Sequence, residues 1–255
     1  KYRIGLSLTG FPPAPVSPVQ SSSYPTVLFN AMVKPWTAFP IKGVIWYQGE
    51  ANVGRSEQYG DLFPALITDW RRQWRSDFPF YFVQLANFME SKKIQPDSEW
   101  AALREAQTKA LKLDQVGMAV TIDIGLADDI HPKNKQEVGR RLALVALAGS
   151  YGKNVSSSAP VFQNYIIKGN KMELDFGQKQ DGFQIKGTTL KGFTIAGPDR
   201  VFYPAEAMVH DGKIILSSTE VPAPLAARYG WADNPDCNLY GENGLPVAPF
   251  RTDCW

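Results

Sequence analysis

The sequence predicts an α/β protein: a parallel sheet with helices on both faces, followed by a small antiparallel β subdomain. Three observations predict it. Short apolar, β-branched runs alternate with helix-period segments through Gly149. Those runs are apolar throughout rather than alternating, as strands covered on both faces are. After Gly149 the helical period stops, and short strand-like runs follow, separated by Gly, Asp and Asn. The division expected is 1–152 for the α/β unit and 153–255 for the β subdomain with a loop-rich tail.

Each element has a local reason. Residues 1–10 (KYRIGLSLTG) read as a short strand running into a Gly turn, and the Pro- and Ser-rich stretch 11–25 as an irregular loop. A short helix is expected over Val27 to Trp36. KGVIWY (42–47), between Pro40 and Gly49, suits a buried strand. From Ser56, a plausible N-cap, Tyr59, Leu62, Phe63, Leu66, Ile67, Trp70 and Trp74 fall near helical spacing. Phe80 to Ala86 and Val116 to Ile124 read as further strands, with a helix over Glu99 to Leu113 between them. Pro132 suits the first turn of a helix carrying Val138, Leu142, Val145 and Ala146. In the second part YIIKG, MELDF, FQIKG, GFTIAG and KIILSS are the strand candidates. Residues 228–255 read as loop.

Composition narrows the class. Hydrophobic residues make up 44% and charged residues 20%, with a net charge of +2, and no basic run is longer than Arg71-Arg72. This balance gives no reason to expect nucleic acid or an anionic membrane as partner. No apolar stretch approaches the ~18–20 residues that span a bilayer. The chain starts at Lys1, not Met, and is expected to be a processed or truncated product. Cys237 and Cys254 are the only cysteines. Joined, they would close a loop of about 18 residues, worth ~3 kcal/mol in the chain-entropy model. Such a disulfide would imply an oxidising compartment, periplasmic or secreted.

Ligands in open α/β sheets sit beyond the carboxyl ends of the strands, and two such ends carry unusual polar residues. After KGVIWY come Gln48, Gly49, Glu50 and Asn52. After VGMAVTIDI come Asp128 and His131, a carboxylate three residues before a histidine. That pair suits acid–base work beside a serine: the imidazole moves the proton and the carboxylate holds its tautomer. The plainer alternative is a capping Asp beside an incidental His. A metal reading of Asp128, Asp129 and His131 has no His or Cys cluster behind it, so no metal or organic cofactor is expected. The Gln48 amide could donate to a developing oxyanion, with Glu50 and Asn52 holding it or touching substrate hydroxyls. Otherwise all three serve loop backbone groups. His210, in Val209-His210-Asp211-Gly212, reads as a surface turn residue. A serine nucleophile is harder to find. Ser7 lacks the G-x-S-x-G elbow, and Ser21, Ser22 and Ser23 lie in a polar loop.

From FPIKGVIWYQGEAN (39–52), QYGDLFPALITDWR (58–71), FYFVQLANF (80–88), LREAQ (103–107), DDIHPKNKQEVGRRLA (128–143) and the tail 228–255, the chain resembles the sialate O-acetylesterases. These and related carbohydrate acetylesterases belong to the SGNH-hydrolase superfamily. The resemblance covers roughly residues 25–255. It implies that Asp128 and His131 are catalytic and that Tyr47 to Glu50, with Gly10, line the oxyanion hole and sugar site. It also implies a serine in a G-Q-S-N-type motif upstream, which this sequence does not contain. The expectation is therefore the C-terminal portion of a carbohydrate O-acetylesterase, incomplete at the N-terminus of its α/β unit and inactive alone. Its partners would be an acetylated sugar, or the acetyl esters of a plant polysaccharide such as xylan, and the missing N-terminal segment of the same protein. The rival is a non-catalytic carbohydrate-binding protein on the same scaffold.

Overall fold

The computed structural model describes residues 24–177 and 182–255. Ser7, Gly10 and Ser21 to Ser23 lie outside them. The expected short helix over Val27 to Trp36 is present as a wide helical turn at Phe29–Val33 followed by a 3-10 turn at Lys34–Ala38. Pro35 sits at the start of the second turn and has no N–H to continue a ladder.

The α/β part comprises β1 (Val44–Trp46), α1 (Ser56–Trp74), β2 (Phe80–Val83), α2 (Glu99–Thr108), β3 (Val116–Ala119) and α3 (Lys135–Gly149). The three strands are parallel in the order β1-β2-β3, with Val44 opposite Phe80 and Phe80 opposite Val116. All four residues of β2 are buried. Phe80 and Phe82 pack with Tyr59, Phe63 and Ile67 of α1 and with Leu103 and Ala106 of α2. Tyr81 and Val83, on alternate positions, pack with Val138, Leu142 and Val145 of α3. Trp46 adds an aromatic cluster, its ring 5.8 Å from Trp70 and 6.3 Å from Phe63.

Several expected boundaries shift. β1 is an edge strand rather than a fully buried one: its single partner among the described residues is β2, and Ile45 is 69% exposed. Helix α1 is capped by Arg55 without a side-chain bond, so Ser56 is its first residue and not its N-cap. Helix α2 ends at Thr108, and a 3-10 turn covers Lys109–Lys112. Its cap is Ser98, whose hydroxyl accepts from the Ala101 N–H at 3.0 Å. β3 stops at Ala119, five residues early, because polar groups take over beyond it. Thr121 Oγ1 donates to Gln84 O at 2.6 Å, and Arg141 donates to Val120 O at 2.7 Å. Asn134 caps α3, so Pro132 lies before the helix rather than in its first turn.

The remaining strands are antiparallel: β4 (Asn164–Lys168), β5 (Lys171–Asp175), β6 (Phe183–Ile185), β7 (Phe193–Ala196), β8 (Phe202–Pro204), β9 (Glu206–His210), β10 (Lys213–Ser217), β11 (Ala226–Tyr229), β12 (Leu239–Gly241) and β13 (Phe250–Arg251). They form sheets β4-β5-β10-β9, β13-β11-β7-β8 and β12-β6. Met172, Leu174, Ile214 and Leu216 alternate inward and share a core with Ile195 and Tyr229. His210 ends β9 and is exposed; Asp211 and Gly212, with φ of 49° and 72°, close the β9–β10 hairpin. The tail is not loop alone, since β11, β12 and β13 come from it.

The α/β part and the tail are joined by buried arginines. Arg104 of α2 is fully buried, and its guanidinium donates to four carbonyls: Leu85 at 2.9 Å, Ala86 at 3.0 Å, Ala232 at 2.7 Å and Asp233 at 2.8 Å. Burial pulls its pKa down to about 9. Arg141 of α3 pairs with both oxygens of Asp123 at 2.6 and 2.9 Å, and Tyr240 of β12 donates to the same carboxylate at 3.1 Å. Bonds from Arg140 and then Arg141 hold the Glu137 carboxyl down to about 2.

The expected disulfide does not form; both cysteines are free thiols. The Cys237 sulfur is packed where side chains at Gly192 or Gly230 would come within 2.8 and 3.2 Å of it. Burial pushes this thiol up to about 12. Cys254 follows Asp253, which Arg228 grips at 2.8 and 2.6 Å, and is thereby held at the surface.

Arg104→Leu is predicted to lower stability by about 3 kcal/mol, because the Leu85 and Ala232 carbonyls lose the guanidinium donor, while those of Ala86 and Asp233 keep Trp100 Nε1 and Phe88 N. Urea unfolding of both proteins measures it. An unchanged midpoint would show that the guanidinium does not hold the tail to the sheet.

Candidate active site

Two loops leave the carboxyl ends of the parallel strands. The first begins at Tyr47. The Gln48 carbonyl accepts from the Tyr59 hydroxyl at 3.2 Å and from Gln107 Nε2 at 3.3 Å. These bonds fix the plane of the Gln48–Gly49 peptide, and the Gly49 N–H then points away from Gln107, because a trans peptide sets N–H and C=O on opposite sides. Gly49 is required there. Its φ of 157° and ψ of −24° are foreign to side-chain-bearing residues, and a Cβ would lie 3.2 Å from Gln107 Nε2 and 3.3 Å from Leu85 Cδ2. The Gln48 side chain donates to Asn52 Oδ1 at 2.8 Å, which aims the amide. Glu50 opens the 3-10 turn Glu50–Asn52. Tyr47 is pushed up to about 12 by burial and then by the Glu50 charge, so it stays a neutral phenol.

The second loop follows β3. Gly125 N donates to Asn87 Oδ1 at 2.7 Å, Phe88 bridges Leu126, and Met89 N donates to Ala127 O at 3.1 Å. A Cβ on Gly125 would sit 1.9 Å from the Asn87 carbonyl oxygen, so only glycine allows this approach. His131 then projects into solvent, its side chain 83% exposed. Its backbone N–H donates to Asp129 Oδ1 at 2.9 Å, and its Nδ1 is 3.8 Å from the same oxygen. That backbone bond, with the Lys133 charge 3.7 Å away, holds the Asp129 carboxyl below its ordinary value. Asp128 is exposed, and among the described residues no hydrogen bond joins it to His131. The carboxylate nearest the imidazole is therefore that of Asp129.

The two loops meet through Lys135 and Tyr47: the ammonium of the first α3 residue stands 4.8 Å from the centre of the Tyr47 ring. Gln48, Gly49, Glu50 and Asn52 form one hydrogen-bonded loop; Asp128 and His131 share the second loop without a hydrogen bond between them among the described residues, His131 being bonded to Asp129 instead. Gly10 lies outside the described residues. Among those described, no serine hydroxyl is hydrogen-bonded to His131, and no group of three or more His, Cys, Asp or Glu side chains could hold a metal.

Sequence reasoning missed the residues that hold these loops. Gln107 is fully buried and does three things: it accepts from Leu85 N at 2.9 Å and donates to Val83 O and Gln48 O, each at 3.3 Å. It so joins the ends of β1 and β2. Tyr59 and Asn87 share this role. The available signal was a polar residue, Gln107, at the end of an amphipathic helix whose apolar face it continues.

Comparisons with known proteins fit this geometry. Residues 17–148 match the model of the family described as carbohydrate esterase, sialic acid-specific acetylesterase. The chain is 32% identical to the sialate O-acetylesterases of Homo sapiens and Pongo abelii and 29% identical to that of Rattus norvegicus, in each case over 92% of its length. A solved carbohydrate acetylesterase from Xanthomonas citri superposes with a TM-score of 0.86 at 46% identity, over 91% of this chain and 55% of that one. The chain thus belongs to the sialic acid-specific carbohydrate acetylesterase family. It spans about half the length of these curated relatives: 50% of the human and orangutan proteins and 48% of the rat protein.

The loop geometry predicts that Gln107→Leu, which removes the acceptor of the Leu85 N–H and a donor to the Val83 and Gln48 carbonyls, lowers stability by roughly 1–3 kcal/mol. Thermal unfolding measures it. An unchanged melting temperature would remove Gln107 as the tie between the strand ends.

Proposed function

We propose that the complete protein is a carbohydrate O-acetylesterase working by Ser-His-Asp chemistry, with this chain carrying the acid–base and oxyanion side of the site. The observation that carries the reading is the placement of the Gln48–Asn52 and Asp128–His131 loops at the carboxyl ends of parallel strands, in a chain of this family. The serine comes from polypeptide outside residues 24–255. Two features support that origin. The far edge of β1 has no strand beside it among the described residues, and exposed Ile45, Met32 and Trp36 belong to the β1 strand and the helical turns that precede it. An upstream strand pairing there would cover this surface, and without it the chain tends to associate.

In the reaction the serine hydroxyl attacks the acetyl carbonyl while His131 takes its proton. Asp128 orients the imidazole once the site is complete. The Gln48 amide, the Gly49 N–H and an amide at Gly10 hold the oxyanion. His131 then returns the proton to the departing sugar oxygen, and water, activated by the same imidazole, releases acetate. The sheet carries helices on both faces in the SGNH manner, a reading supported by the packing of α1 and α2 against Phe80 and Phe82 and of α3 against Tyr81 and Val83. The division at residues 152 and 153 belongs to the same proposal. So does a periplasmic or secreted location, which rests on the glycan substrate alone now that the thiols are free.

In the full-length protein, acetate release from p-nitrophenyl acetate and an O-acetylated sugar tests the roles. His131→Ala abolishes turnover, and near-normal activity would take His131 out of the mechanism. Gln48→Ala lowers kcat by roughly 10²-fold with little change in KM. An effect on KM alone would make Gln48 a sugar contact. A full-length protein that binds glycans without releasing acetate would favour the non-catalytic reading.

A further inference from the structure

A cleft of about 420 Å3 opens between the Ser91–Pro96 segment and the sheet β13-β11-β7-β8. Neither the Tyr47–Asn52 loop nor the Asp128–His131 loop lines it. Its chemistry is that of a site. Arg228 lines it with a side chain only 6% exposed, gripped by Asp253 at 2.8 and 2.6 Å and donating to Pro96 O at 2.6 Å. The Arg228 guanidinium stands 3.9 Å from the centre of the Phe202 ring and 5.2 Å from that of Trp231. Arg251, itself held by both oxygens of Glu105 at 2.9 Å, lies 4.8 Å from the same indole. Two guanidiniums, each locked by its own carboxylate, therefore set the orientation of a half-buried tryptophan at the cleft wall.

The charges in the cleft do not cancel. Lys191 is matched by Asp236 at 2.9 Å, and Arg228 by Asp253. Lys92 and Lys93 line the cleft and have no carboxylate partner among the described residues. A fixed indole and two ammonium groups without a carboxylate partner among the described residues call for a ligand that is polar, ring-shaped and anionic. The cleft volume suits one or two pyranose rings. The loop that walls it is also tied to the active-site loop: Asn234 donates to Met89 O at 2.7 Å, and Met89 N donates to Ala127 O at 3.1 Å.

We propose that this cleft is a glycan subsite for a carboxylate-bearing sugar unit, distinct from the unit that carries the acetyl ester. Trp231 packs on the ring, and Lys92 and Lys93 meet the carboxylate. The identity of the ligand as a sugar rests on the acetylesterase reading; the binding itself does not.

The test is titration of the full-length protein with a short oligogalacturonate, followed by tryptophan fluorescence and calorimetry, with the methyl-esterified, uncharged form as control. Saturable binding is expected, weakened roughly tenfold or more by Trp231→Ala and by the Lys92→Ala/Lys93→Ala pair, and restored in part by Trp231→Phe. The lysine pair is exposed, so its variant keeps the test decisive if Trp231→Ala does not fold. Equal affinity for the esterified form, indifference to the lysine pair, displacement by inorganic phosphate at equal concentration, or no saturable binding would each overturn the proposal. His131→Ala binds normally under it, so a failed esterase assay with intact binding counts against the esterase reading alone.

Discussion

The buried guanidinium of Arg104 is the interaction on which the rest depends. It sits in the interior with no carboxylate bonded to it, satisfied by the carbonyls of Leu85, Ala86, Ala232 and Asp233. The first two follow β2 and the last two follow β11, so one side chain fixes the exit of the parallel sheet against the tail. A charge buried in this way is tolerated only while every donor is matched, which makes the arrangement all-or-none. Asp233 adds to it from the side-chain end, accepting from Ser98 Oγ at 2.6 Å and from the Gln95 amide. The N-cap of α2, the loop after β2 and the tail are thereby one hydrogen-bonded unit.

The candidate site inherits its order from that unit. Helix α2 carries both Arg104 and Gln107, one helical turn apart, so the residue that anchors the tail also sets the residue that orients the Gln48–Gly49 peptide. Asn87, just beyond the Arg104 carbonyls, holds Gly125 at the root of the His131 loop and bonds Asn234 of the tail at 2.7 Å. The polar groups offered to a substrate are few, but each stands on a buried support. His131 is the exception: solvent surrounds it on most sides, and its nearest carboxylate, Asp129, is engaged by backbone and Lys133.

Local pattern made much of the fold legible. The apolar and aromatic spacing in Tyr59 to Trp74 placed α1, and the runs MELDF and KIILSS were legible as the strands β5 and β10. What stayed hidden depends on partners distant in sequence. KGVIWY is apolar enough for a central strand, yet nothing in its composition says that one edge has no neighbour among the described residues. β11, β12 and β13 exist because β7 and β6 are there to pair with them, although their own segment is rich in Gly, Pro and Asn. Cysteine spacing allowed a disulfide, but the Arg228–Asp253 pair holds the chain end elsewhere. At the site, the polar loops at two strand ends were visible as outliers in apolar surroundings. Gln107 and Arg104 were not, because a polar residue on a helix reads as surface until the carbonyls it serves are known.

The proposed chemistry depends on where the nucleophile resides. Labelling the full-length protein and the 255-residue chain with a fluorophosphonate probe, then mapping the modified peptide, addresses that directly. The predicted result is one labelled serine in the full-length protein, outside residues 24–255, with labelling dependent on His131 and absent from the shorter chain. Labelling of any serine in the shorter chain, or of the full-length protein irrespective of His131, would contradict it.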